Sequence, residues 1–485
     1  MVESAFCKKN GVYYTNDTIA KFMISKLSID YSNNFRLLEL AIGQGNIIKH
    51  IFSEFLDYHK GKDANDLRRM IENTFFGFDK DYESIDICID KLNDIAYKRA
   101  GLTEIKWNIR CINIFEQNEI DNLGSFDYII SNPPYISRKN MTDVAQVNWL
   151  HENSLFCSKF NIDLYYFFFE VGIMHWNRNG RIVFITPNSF LRAKSAKKMR
   201  EFLEKNRILF EIIDFADNLL FENASTYSAI TVLEHNHNQY SHFKGEYDRR
   251  KNVIQLDFVG KYVDFSKFIP TFSFSGDTKA LEEICYISNG IATLNDTAFI
   301  IKSGEITRID SNNIVFQKNS REFSLQTSHV KSGIRISNSK QINYVVFPYD
   351  NSDYSSLDSE EERYHELFGY LKLILPMDYQ KKYGLYFGRR QGLKFHDSKK
   401  IVIPKVANLK NDFYIDCTSS LVIAGIYLSM KQPYEGALGS VCDYLNSAKV
   451  KDFLRSTSKN YGSGYVSIST DDLRRILVPT ILLNV

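Results

Sequence analysis

Four consecutive residues, Asn132, Pro133, Pro134 and Tyr135, have the types needed for chemistry on a planar amine. An exocyclic aromatic amine is a poor nucleophile because its lone pair is delocalised into the ring. Two acceptors aimed at its two N–H groups, the side-chain oxygen of Asn132 and the carbonyl of Pro133, would favour the tetrahedral nitrogen that develops during reaction. The Pro-Pro backbone would hold both acceptors in place beforehand, and Tyr135 offers a flat face for a base.

The same residues follow a run of strand formers, 128–130, which the two prolines cannot continue within a sheet. A simple strand-ending turn is the alternative interpretation, because Asn and Pro are common turn formers. The neighbouring motifs decide between the two.

A glycine turn follows an earlier predicted strand and contains Gly43 and Gly45. A dinucleotide fingerprint would require a third glycine where Ile48 stands, and the Gly-Lys-Ser/Thr ending of a phosphate-binding loop is missing. The turn therefore suits a ligand without a pyrophosphate. Asp79 ends the next predicted strand, where an acid can accept hydrogen bonds from a ribose diol. A nucleoside without phosphates fits S-adenosylmethionine.

Strands and helices alternate through the first half, which predicts a doubly wound α/β sheet with helices on both faces. The polar residues named above fall at the ends of successive strands, so we expect them to share one crevice. The predicted helices cover 17–27, 47–59, 82–97, 163–177 and 192–205, and the predicted strands lie within 35–46, 74–81, 105–116, 126–135, 180–188, 209–216 and 228–235.

These motifs resemble the gamma-class amino-group adenine DNA methyltransferases of restriction–modification systems, over residues 1–235. The segments "GVYYTNDTIAKFM", "LLELAIGQGN", "GFDKD", "INIF", "SNPPY" and "FENASTYSAITV" are similar to that family's motifs X, I, II, III, IV and VIII. Motif X first, with the cofactor motifs before the Asn-Pro-Pro-Tyr motif, is the gamma arrangement. The resemblance implies a Rossmann-like methyltransferase sheet.

The resemblance also implies a role for each matching residue. The cofactor's methionine portion would lie near Thr15, Glu39 and Ala41, its ribose at Asp79, and its adenine beside Asn113, Ile114 and Phe168, with Gly43 and Gly45 in the glycine turn. The target base would meet Asn132, Pro133, Pro134 and Tyr135, with Phe221 on its opposite side. Two positions depart from the pattern: Asn113 replaces a common acid, and motif I lacks its usual residues. Phe168 could equally be core, and Thr15 a helix-start residue.

The second half loses the strand–helix alternation. We predict a catalytic domain over 1–240, a connector at 242–252, and a mixed α+β target-recognition domain over 241–485 with a long helix at 356–374. The segment 388–400 has five Lys or Arg against one Asp. Its Arg389, Arg390 and Lys394 are candidates for contacting DNA phosphates or guanine edges, although a solvated loop would have the same composition.

Composition narrows the compartment and the partners. The 60 Lys and Arg balance 58 Asp and Glu, so bulk charge neither favours nor disfavours nucleic acid. Seven scattered cysteines without a Cys-x-x-Cys pair predict neither a metal site nor disulfides. Without a long apolar stretch, we expect a cytoplasmic protein, no membrane partner and a monomer.

The sequence therefore predicts a site-specific DNA adenine methyltransferase that uses S-adenosylmethionine, flips its target base and protects double-stranded DNA from a cognate restriction endonuclease, a functional rather than a physical partner. Ring-carbon methylation of cytosine is disfavoured because no cysteine follows a proline. Amine methylation of cytosine stays open, as do a protein glutamine or RNA substrate, a modification subunit or scaffold that needs a partner chain, and a single-chain restriction and modification enzyme.

Overall fold

A computed structural model describes residues 15–483, apart from 159–161, 217, 219, 222–226, 269–271, 337–339, 351–354, 356, 358–363, 390, 394–398 and 463–464. The chain divides into two units, Met1–Ile269 and Pro270–Val485. The predicted catalytic motifs all belong to the first unit.

The first unit alternates strands and helices as predicted. Its helices are α1 (Asp17–Leu27), α2 (Ile48–Tyr58), α3 (Ala64–Thr74), α4 (Tyr82–Ala100), α5 (Gln117–Asp121), α6 (Val144–Asn153), α7 (Tyr165–Met174) and α8 (Lys197–Lys205). Its strands are β1 (Leu37–Leu40), β2 (Phe75–Asp79), β3 (Asn108–Cys111), β4 (Tyr128–Ser131), β5 (Ile182–Pro187), β6 (Leu209–Asp214), β7 (Ser228–Leu233), β8 (Tyr240–Asp248) and β9 (Val253–Tyr262). The sequence did not predict α3, α5, α6, β8 or β9.

Helix α1 shows how local sequence sets an element. Asn16 has extended backbone dihedrals, and its side-chain oxygen accepts a hydrogen bond from the Ile19 N–H at 2.9 Å, which satisfies one of the helix's unpaired donors. Apolar residues at helical spacing, from Ile19 to Leu27, then form the buried face. The predicted helix and its predicted cap are both confirmed.

The nine strands form one mixed sheet in the order β3-β2-β1-β4-β5-β7-β6-β8-β9. The five strands from β3 to β5 are mutually parallel, whereas β7 runs antiparallel to both β5 and β6. From β1 the chain proceeds outward to β2 and β3, then returns to place β4 on the other side of β1. This reversal creates a crevice at the carboxyl ends of β1 and β4, where doubly wound folds bind ligands.

The central strands are buried on both faces. In β4, Ile129 belongs to one hydrophobic cluster and Ile130 to another, and in β5 Phe184 and Ile185 divide in the same way. Because successive strand side chains point to opposite faces, the two clusters lie on opposite sides of the sheet. Helices cover both sides, as the continuous apolar runs of these strands predict. The doubly wound α/β prediction is confirmed.

The predicted domain boundary at 240 and the predicted connector at 242–252 are wrong. Residues 240–248 form β8, which pairs in parallel with β6, and β9 pairs with β8. In β8, Lys244, Glu246 and Asp248 alternate with more deeply buried residues, and that alternation suits a strand with one solvated face. The first unit therefore extends to Ile269.

The second unit mixes short helices and strands, which confirms the predicted α+β character. Its helices are α9 (Leu281–Ile284), α10 (Asp296–Phe299), α11 (His365–Ile374), α12 (Met377–Tyr383), α13 (Leu438–Leu445), α14 (Ala448–Thr457) and α15 (Thr470–Arg474). Its strands are β10 (Thr278–Ala280), β11 (Cys285–Asn289), β12 (Ile300–Ile301), β13 (Ile306–Ile309), β14 (Asn313–Lys318), β15 (Arg321–Gln326), β16 (Val330–Ile336), β17 (Lys340–Val346), β18 (Lys400–Pro404), β19 (Val406–Asn408), β20 (Tyr414–Asp416), β21 (Leu421–Ile423), β22 (Gly425–Met430), β23 (Lys459–Gly462), β24 (Tyr465–Ser467) and β25 (Leu477–Pro479).

The long helix predicted over 356–374 is confirmed only from His365 onward as α11. Residues 356 and 358–363 lie outside the described residues. In the described part of the chain, no helix combines the length and apolar character that crossing a membrane requires. The same residues bring together no group of three or more His, Cys, Asp or Glu side chains suited to a metal ion.

We expect the fragment 1–269 to fold on its own and the fragment 1–240 to lose stability. The shorter fragment removes the strand that pairs with β6, and it removes Tyr247, whose hydroxyl accepts a hydrogen bond from Asn16 Nδ2 at 3.2 Å. Thermal unfolding of the two fragments, followed by circular dichroism, measures the difference. Equal transitions would contradict the boundary at 269.

Candidate active site

A cavity of about 280 Å³ lies at the carboxyl ends of β1 to β4. Its walls come from the glycine turn after β1, the end of β2, the turn after β3 and the prolines after β4. Eleven residues singled out in the sequence line it: Thr15, Glu39, Ala41, Gly43, Asp79, Asn113, Ile114, Asn132, Pro133, Pro134 and Phe168. Segments up to 153 residues apart in the chain therefore meet at one crevice.

The turn after β1 exposes its backbone to the cavity. Ala41 and Gly43 both have positive φ, at 53° and 50°, a region that residues with a Cβ adopt rarely. A Cβ built on Gly43 would meet no atom within 4 Å, so this position borders open space. Glycine at 43 thus serves the backbone conformation.

Asp79 joins β2 to this turn. One carboxylate oxygen accepts the Gly43 N–H at 2.9 Å, and the other accepts the Asp81 N–H at 3.0 Å. Burial raises the pKa of this carboxyl, and the two backbone donors oppose that shift. Each oxygen of a carboxylate has a second lone pair, so the group can accept further hydrogen bonds from hydroxyls in the cavity.

Glu39 is almost completely buried, on the central strand β1. Its carboxylate accepts the Ile48 N–H at 2.9 Å, at the start of α2. Burial raises the pKa of Glu39 well above its ordinary value; the Ile48 N–H opposes this shift, and the nearby charge of Asp79 adds to it. A buried acid with a raised pKa is able to respond to a cationic ligand, because a nearby positive charge favours its ionised form.

Asn132 is held by a residue from the start of the chain. Its Nδ2 donates to the Thr15 hydroxyl at 3.0 Å, so its amide oxygen points away from Thr15. The preceding residue, Ser131, donates from its hydroxyl to the Leu40 carbonyl at 2.5 Å. That bond ties the end of β4 to the end of β1, so the Asn132 backbone is fixed relative to the glycine turn. Thr15 thus supports the key asparagine, which its sequence position before α1 did not indicate.

Tyr135 and Phe221 lie outside the cavity lining. The two ring centroids are 6.4 Å apart with planes at 65°, and the Tyr135 ring lies 6.4 Å from Tyr165 at 71°. The Tyr135 hydroxyl donates to the Ile185 carbonyl at 3.3 Å, which anchors the ring to the end of β5. The rings meet edge to face, so the structure brings them together without stacking one upon the other.

The far end of the cavity is more apolar. Ile114 and Phe168 both contribute to the wall while also belonging to a hydrophobic cluster. The side-chain oxygen of Asn113 accepts the Phe115 N–H at 3.3 Å, which uses one of its lone pairs in a local turn. Phe168 therefore belongs both to the hydrophobic core and to the lining of the cavity.

Gly45 is absent from the cavity lining, although the sequence placed it with the cofactor residues. Its φ is 71°, and a Cβ built there would come within 2.5 Å of Cys88 Sγ on α4. Glycine is needed here for close packing of the turn against α4, so a packing requirement explains the residue.

Sequence reasoning missed the segment after the Asn-Pro-Pro-Tyr motif. Asn140, Met141, Thr142, Asp143 and Gln146 all line the cavity. The Asp143 carboxylate also accepts the Ala145 N–H at 2.9 Å and the Gln146 N–H at 3.2 Å, which starts α6. The Thr-Asp pair before a helical pattern was an available signal for this helix start.

The predicted DNA contacts belong to the second unit. Arg389 is exposed, and its backbone N–H donates to the Ala292 carbonyl at 3.1 Å. Arg390 and Lys394 lie outside the described residues.

Part of the first unit matches a known protein family. Residues 18–221 match the family described as Eco57I restriction-modification methylase. The matched region contains β1 to β6, the Asn-Pro-Pro-Tyr motif and every cavity residue named above except Thr15. The match supports a restriction–modification methyltransferase domain in the first unit.

Individual relatives agree with that assignment. The chain is 24% identical over 385 residues to the Escherichia coli type II restriction enzyme and methyltransferase RM.Eco57I, covering 70% of this chain and 36% of that protein. It is 30% identical over 135 residues to the Haemophilus influenzae type II methyltransferase M.HincII, covering 27% of this chain and 25% of the relative. The chain thus spans about a third or less of the length of these relatives.

A solved structure shares the fold. The type IIL restriction-modification enzyme MmeI, solved in complex with DNA, superimposes with a TM-score of 0.62 at 12% identity. The superposition covers 95% of this chain and 67% of MmeI. The predicted Rossmann-like methyltransferase fold is therefore confirmed.

The close approach of Gly45 to Cys88 should make this position sensitive to substitution. Gly45→Ala should destabilise the first unit by about 1–3 kcal/mol, because the new Cβ overlaps Cys88 Sγ and the backbone keeps its positive φ. Adding Cys88→Ala should restore part of the loss, since the remaining Cys88 Cβ lies at 3.4 Å. Urea unfolding measures each step.

Gly43→Ala is the matched control, because it has a similar φ but no neighbour within 4 Å. We expect it to lose less stability than Gly45→Ala and to gain nothing from Cys88→Ala. Equal gains from Cys88→Ala in both backgrounds would contradict the packing explanation.

Proposed function

We propose that this chain is a gamma-class, site-specific DNA adenine methyltransferase of a restriction–modification system. The observation that carries the proposal is that Asn132, Pro133 and Pro134 line the same cavity as Asp79 and Glu39. An acceptor pair for an aromatic amine thus stands beside groups suited to a nucleoside with a charged amino-acid end. The reaction is transfer of a methyl group from S-adenosylmethionine to the exocyclic amine of an adenine flipped out of the duplex.

The residues present fit S-adenosylmethionine. Asp79 can accept from the ribose hydroxyls, Glu39 can face the ammonium group, and Ile114 and Phe168 offer an apolar surface to the adenine. The cavity of about 280 Å³ is near the lower end of the range, roughly 300–1,000 Å³, that small-molecule sites occupy. The bound cofactor supplies an electrophilic methyl group.

The amine is activated by acceptors that are fixed before it arrives. The Asn132 side-chain oxygen and the Pro133 carbonyl accept its two N–H groups, and this favours the tetrahedral nitrogen formed during transfer. Thr15 holds the amide nitrogen of Asn132, so the amide oxygen keeps its direction. No general base is needed before transfer, because the nitrogen becomes acidic and loses its proton afterwards.

The Tyr135 ring provides the stacking face for the adenine. A base between two parallel rings needs their planes about 7 Å apart, two stacking distances. The Tyr135 and Phe221 centroids are 6.4 Å apart but their planes meet at 65°. Phe221 must therefore turn when a base enters, whereas Tyr135 stays anchored through Ile185.

Double-stranded DNA is favoured over a protein glutamine or RNA substrate because relatives of this chain are named type II methyltransferases. We assign the first unit to catalysis and the second to target recognition, with Arg389, Arg390 and Lys394 as DNA-contacting candidates. The methyl mark would protect DNA from a cognate restriction endonuclease, and the enzyme would act as a monomer.

The test is methyl transfer from labelled S-adenosylmethionine to unmethylated plasmid DNA by the purified chain, with the product mapped by modification-sensitive sequencing. Methyladenine at one recurring short sequence is the expected result. Methylcytosine, or no DNA product alongside methylation of a protein or RNA extract, would contradict the proposal. Transfer that starts only when a second subunit is added would favour a partner-dependent modification subunit.

Asn132→Ala should lower the methyl-transfer rate constant by about 100-fold or more, because it removes a preorganised acceptor. Cofactor binding should change little, which calorimetry with S-adenosylhomocysteine checks. Asn140→Ala, another cavity-lining change, serves as the control and should retain most of the rate. A near-normal rate for Asn132→Ala would contradict the mechanism.

Tyr135→Ala should weaken productive DNA binding by about 1–3 kcal/mol, the value of one stacked base. Tyr135→Phe should keep most of the activity, because stacking needs the ring and the hydroxyl makes only a 3.3 Å bond to Ile185. Single-turnover methylation at increasing DNA concentrations separates binding from the chemical step. Similar losses in both variants would show that the hydroxyl, rather than the ring, matters.

Glu39 should make cofactor binding dependent on pH. Burial raises its pKa in the free protein, so it holds a proton above the usual range for a glutamate. A neighbouring ammonium would lower that pKa, so binding should release a proton and affinity should rise with pH between the two pKa values. Calorimetry with S-adenosylhomocysteine in buffers of different ionisation enthalpy measures the released proton. Glu39→Gln keeps an oxygen for the Ile48 N–H but should abolish the release.

A further inference from the structure

The segment between β5 and α8 has an unusual charge distribution. Residues 188–198, called the basic loop below, contain Arg192, Lys194, Lys197 and Lys198 but no acid. The loop folds as two short 3-10 turns, Asn188–Leu191 and Lys194–Ala196, and then enters α8. All four of its cationic residues are exposed. Neither the predicted DNA contacts nor the cavity includes them.

The basic loop emerges beside the candidate active site. Strand β5 runs parallel to β4, so both strands end at the same edge of the sheet. The Ile185 carbonyl near the end of β5 holds the Tyr135 hydroxyl, and two residues after the strand Ser189 lies 3.4 Å from the Tyr165 hydroxyl. The Tyr165 ring in turn contacts the Tyr135 ring. The loop therefore borders the place where the target base would enter.

A buried arginine fixes the shape of the loop. The Arg200 guanidinium on α8 donates to the Phe190 carbonyl at 2.6 Å and to the Ala193 carbonyl at 2.8 Å. The Tyr166 hydroxyl also pairs with the Ser195 hydroxyl at 3.0 Å. Burying a guanidinium is costly unless strong hydrogen bonds compensate for its lost hydration. Both Arg200 bonds are to carbonyls of the loop backbone, so they fix the shape of the loop that carries the exposed cations.

Fold stability does not explain the presence of Arg192, Lys197 or Lys198. Within the described part of the chain, Arg192 forms no ion pair. Lys197 lies 3.5 Å from Glu201, but both side chains are more than half exposed, so solvent screens that pair. Lys198 donates to the neutral Ser158 hydroxyl at 2.5 Å. Positive charge in the first turn of α8 is also unfavourable with the helix dipole.

We propose that the basic loop is a phosphate clamp, which holds the DNA backbone beside the flipped adenine. This inference rests on the proposed function and deepens it. The cations are spread over an exposed loop rather than gathered in an enclosed pocket, an arrangement that suits a polyanion better than a single phosphate ion. Phosphate contacts fix the register of a protein on the duplex without reading its sequence. The clamp therefore positions DNA for the catalytic unit, separately from target recognition.

The test compares the wild-type chain with two double variants of equal charge change. The first is Arg192→Gln with Lys198→Gln in the basic loop. The matched control is Lys60→Gln with Lys62→Gln, two exposed cations in the turn after α2. Helix α2 leads away from the end of β1, so that turn lies at the opposite edge of the sheet. Thermal unfolding confirms that each variant is folded.

Binding to 30-base-pair duplexes of arbitrary sequence is measured by fluorescence anisotropy between 50 and 200 mM salt. Each lost phosphate contact flattens the dependence of log affinity on log salt by about 0.9, so the loop variant should lose up to about 1.8 and the control nothing. In methylation assays, the loop variant should raise the KM for DNA several-fold while leaving kcat and S-adenosylhomocysteine binding unchanged.

The outcomes separate the clamp from the function. A loop variant that matches the control in salt slope and KM would overturn the clamp, while wild-type methylation of DNA would leave the proposed function intact. A wild-type chain that neither binds nor methylates DNA would overturn both. Arg200→Ala tests whether Arg200 positions the basic loop. The variant keeps all four cations, so a weaker DNA affinity with unchanged cofactor binding would show that the shape of the loop matters. Should Arg200→Ala fail to fold, the double variants still decide.

Discussion

The parallel pairing of β1 with β4 is the constraint on which the rest of the first unit depends. These strands are adjacent in the sheet, although each paired residue lies 91 positions from its partner, as Leu40 does from Ser131. Their common edge places the glycine turn beside the Asn-Pro-Pro-Tyr segment, and the Ser131 hydroxyl fixes the two ends together. Without that register, the candidate cofactor residues and the proposed amine acceptors would belong to separate surfaces.

Burying two acids in this crevice costs electrostatic free energy. Glu39 is buried and Asp79 is half-buried, and the charge of Asp79 raises the pKa of Glu39. Backbone N–H groups of Ile48 and Gly43 offset part of this cost. A crevice with two buried or half-buried acids favours a ligand that carries hydroxyls and positive charge. The stabilisation missing from the free protein is then supplied by binding.

The candidate active site is held by hydrogen bonds between distant parts of the chain, and the same support extends to the surface beside it. Asn132 is held by the Thr15 hydroxyl and Tyr135 by the Ile185 carbonyl, so both candidate side chains depend on partners that are distant in the chain. The basic loop starts from that same end of β5 and is held by Arg200. One edge of the sheet can in this way align a small cofactor, a flat base and a charged backbone, because parallel strands all end there.

The sequence alone determined most of the alternating elements of the first unit and eleven of the residues that line the cavity. Apolar periodicity and short-range motifs predicted α1 to its ends and placed Asp79 and Asn132 at strand ends, because these signals are local. The continuation of the sheet through β8 and β9 was missed, since a strand with one charged face, such as β8, resembles a connector when its partner β6 is not known. For the second unit the sequence predicted only a mixed α+β fold and not its individual strands, because these short strands pair with residues that are distant in the chain.

Only the tertiary structure decided what each residue touches. Gly45 was expected at the cofactor and instead packs against Cys88, and Thr15 proved to support Asn132 from 117 residues away. The segment 140–146 and the Arg200 support of the basic loop likewise depend on contacts between distant parts of the chain. Local sequence sets backbone preference and residue chemistry, whereas long-range packing selects the neighbours. The chemistry was therefore readable from the sequence, and the arrangement that would carry it out was not.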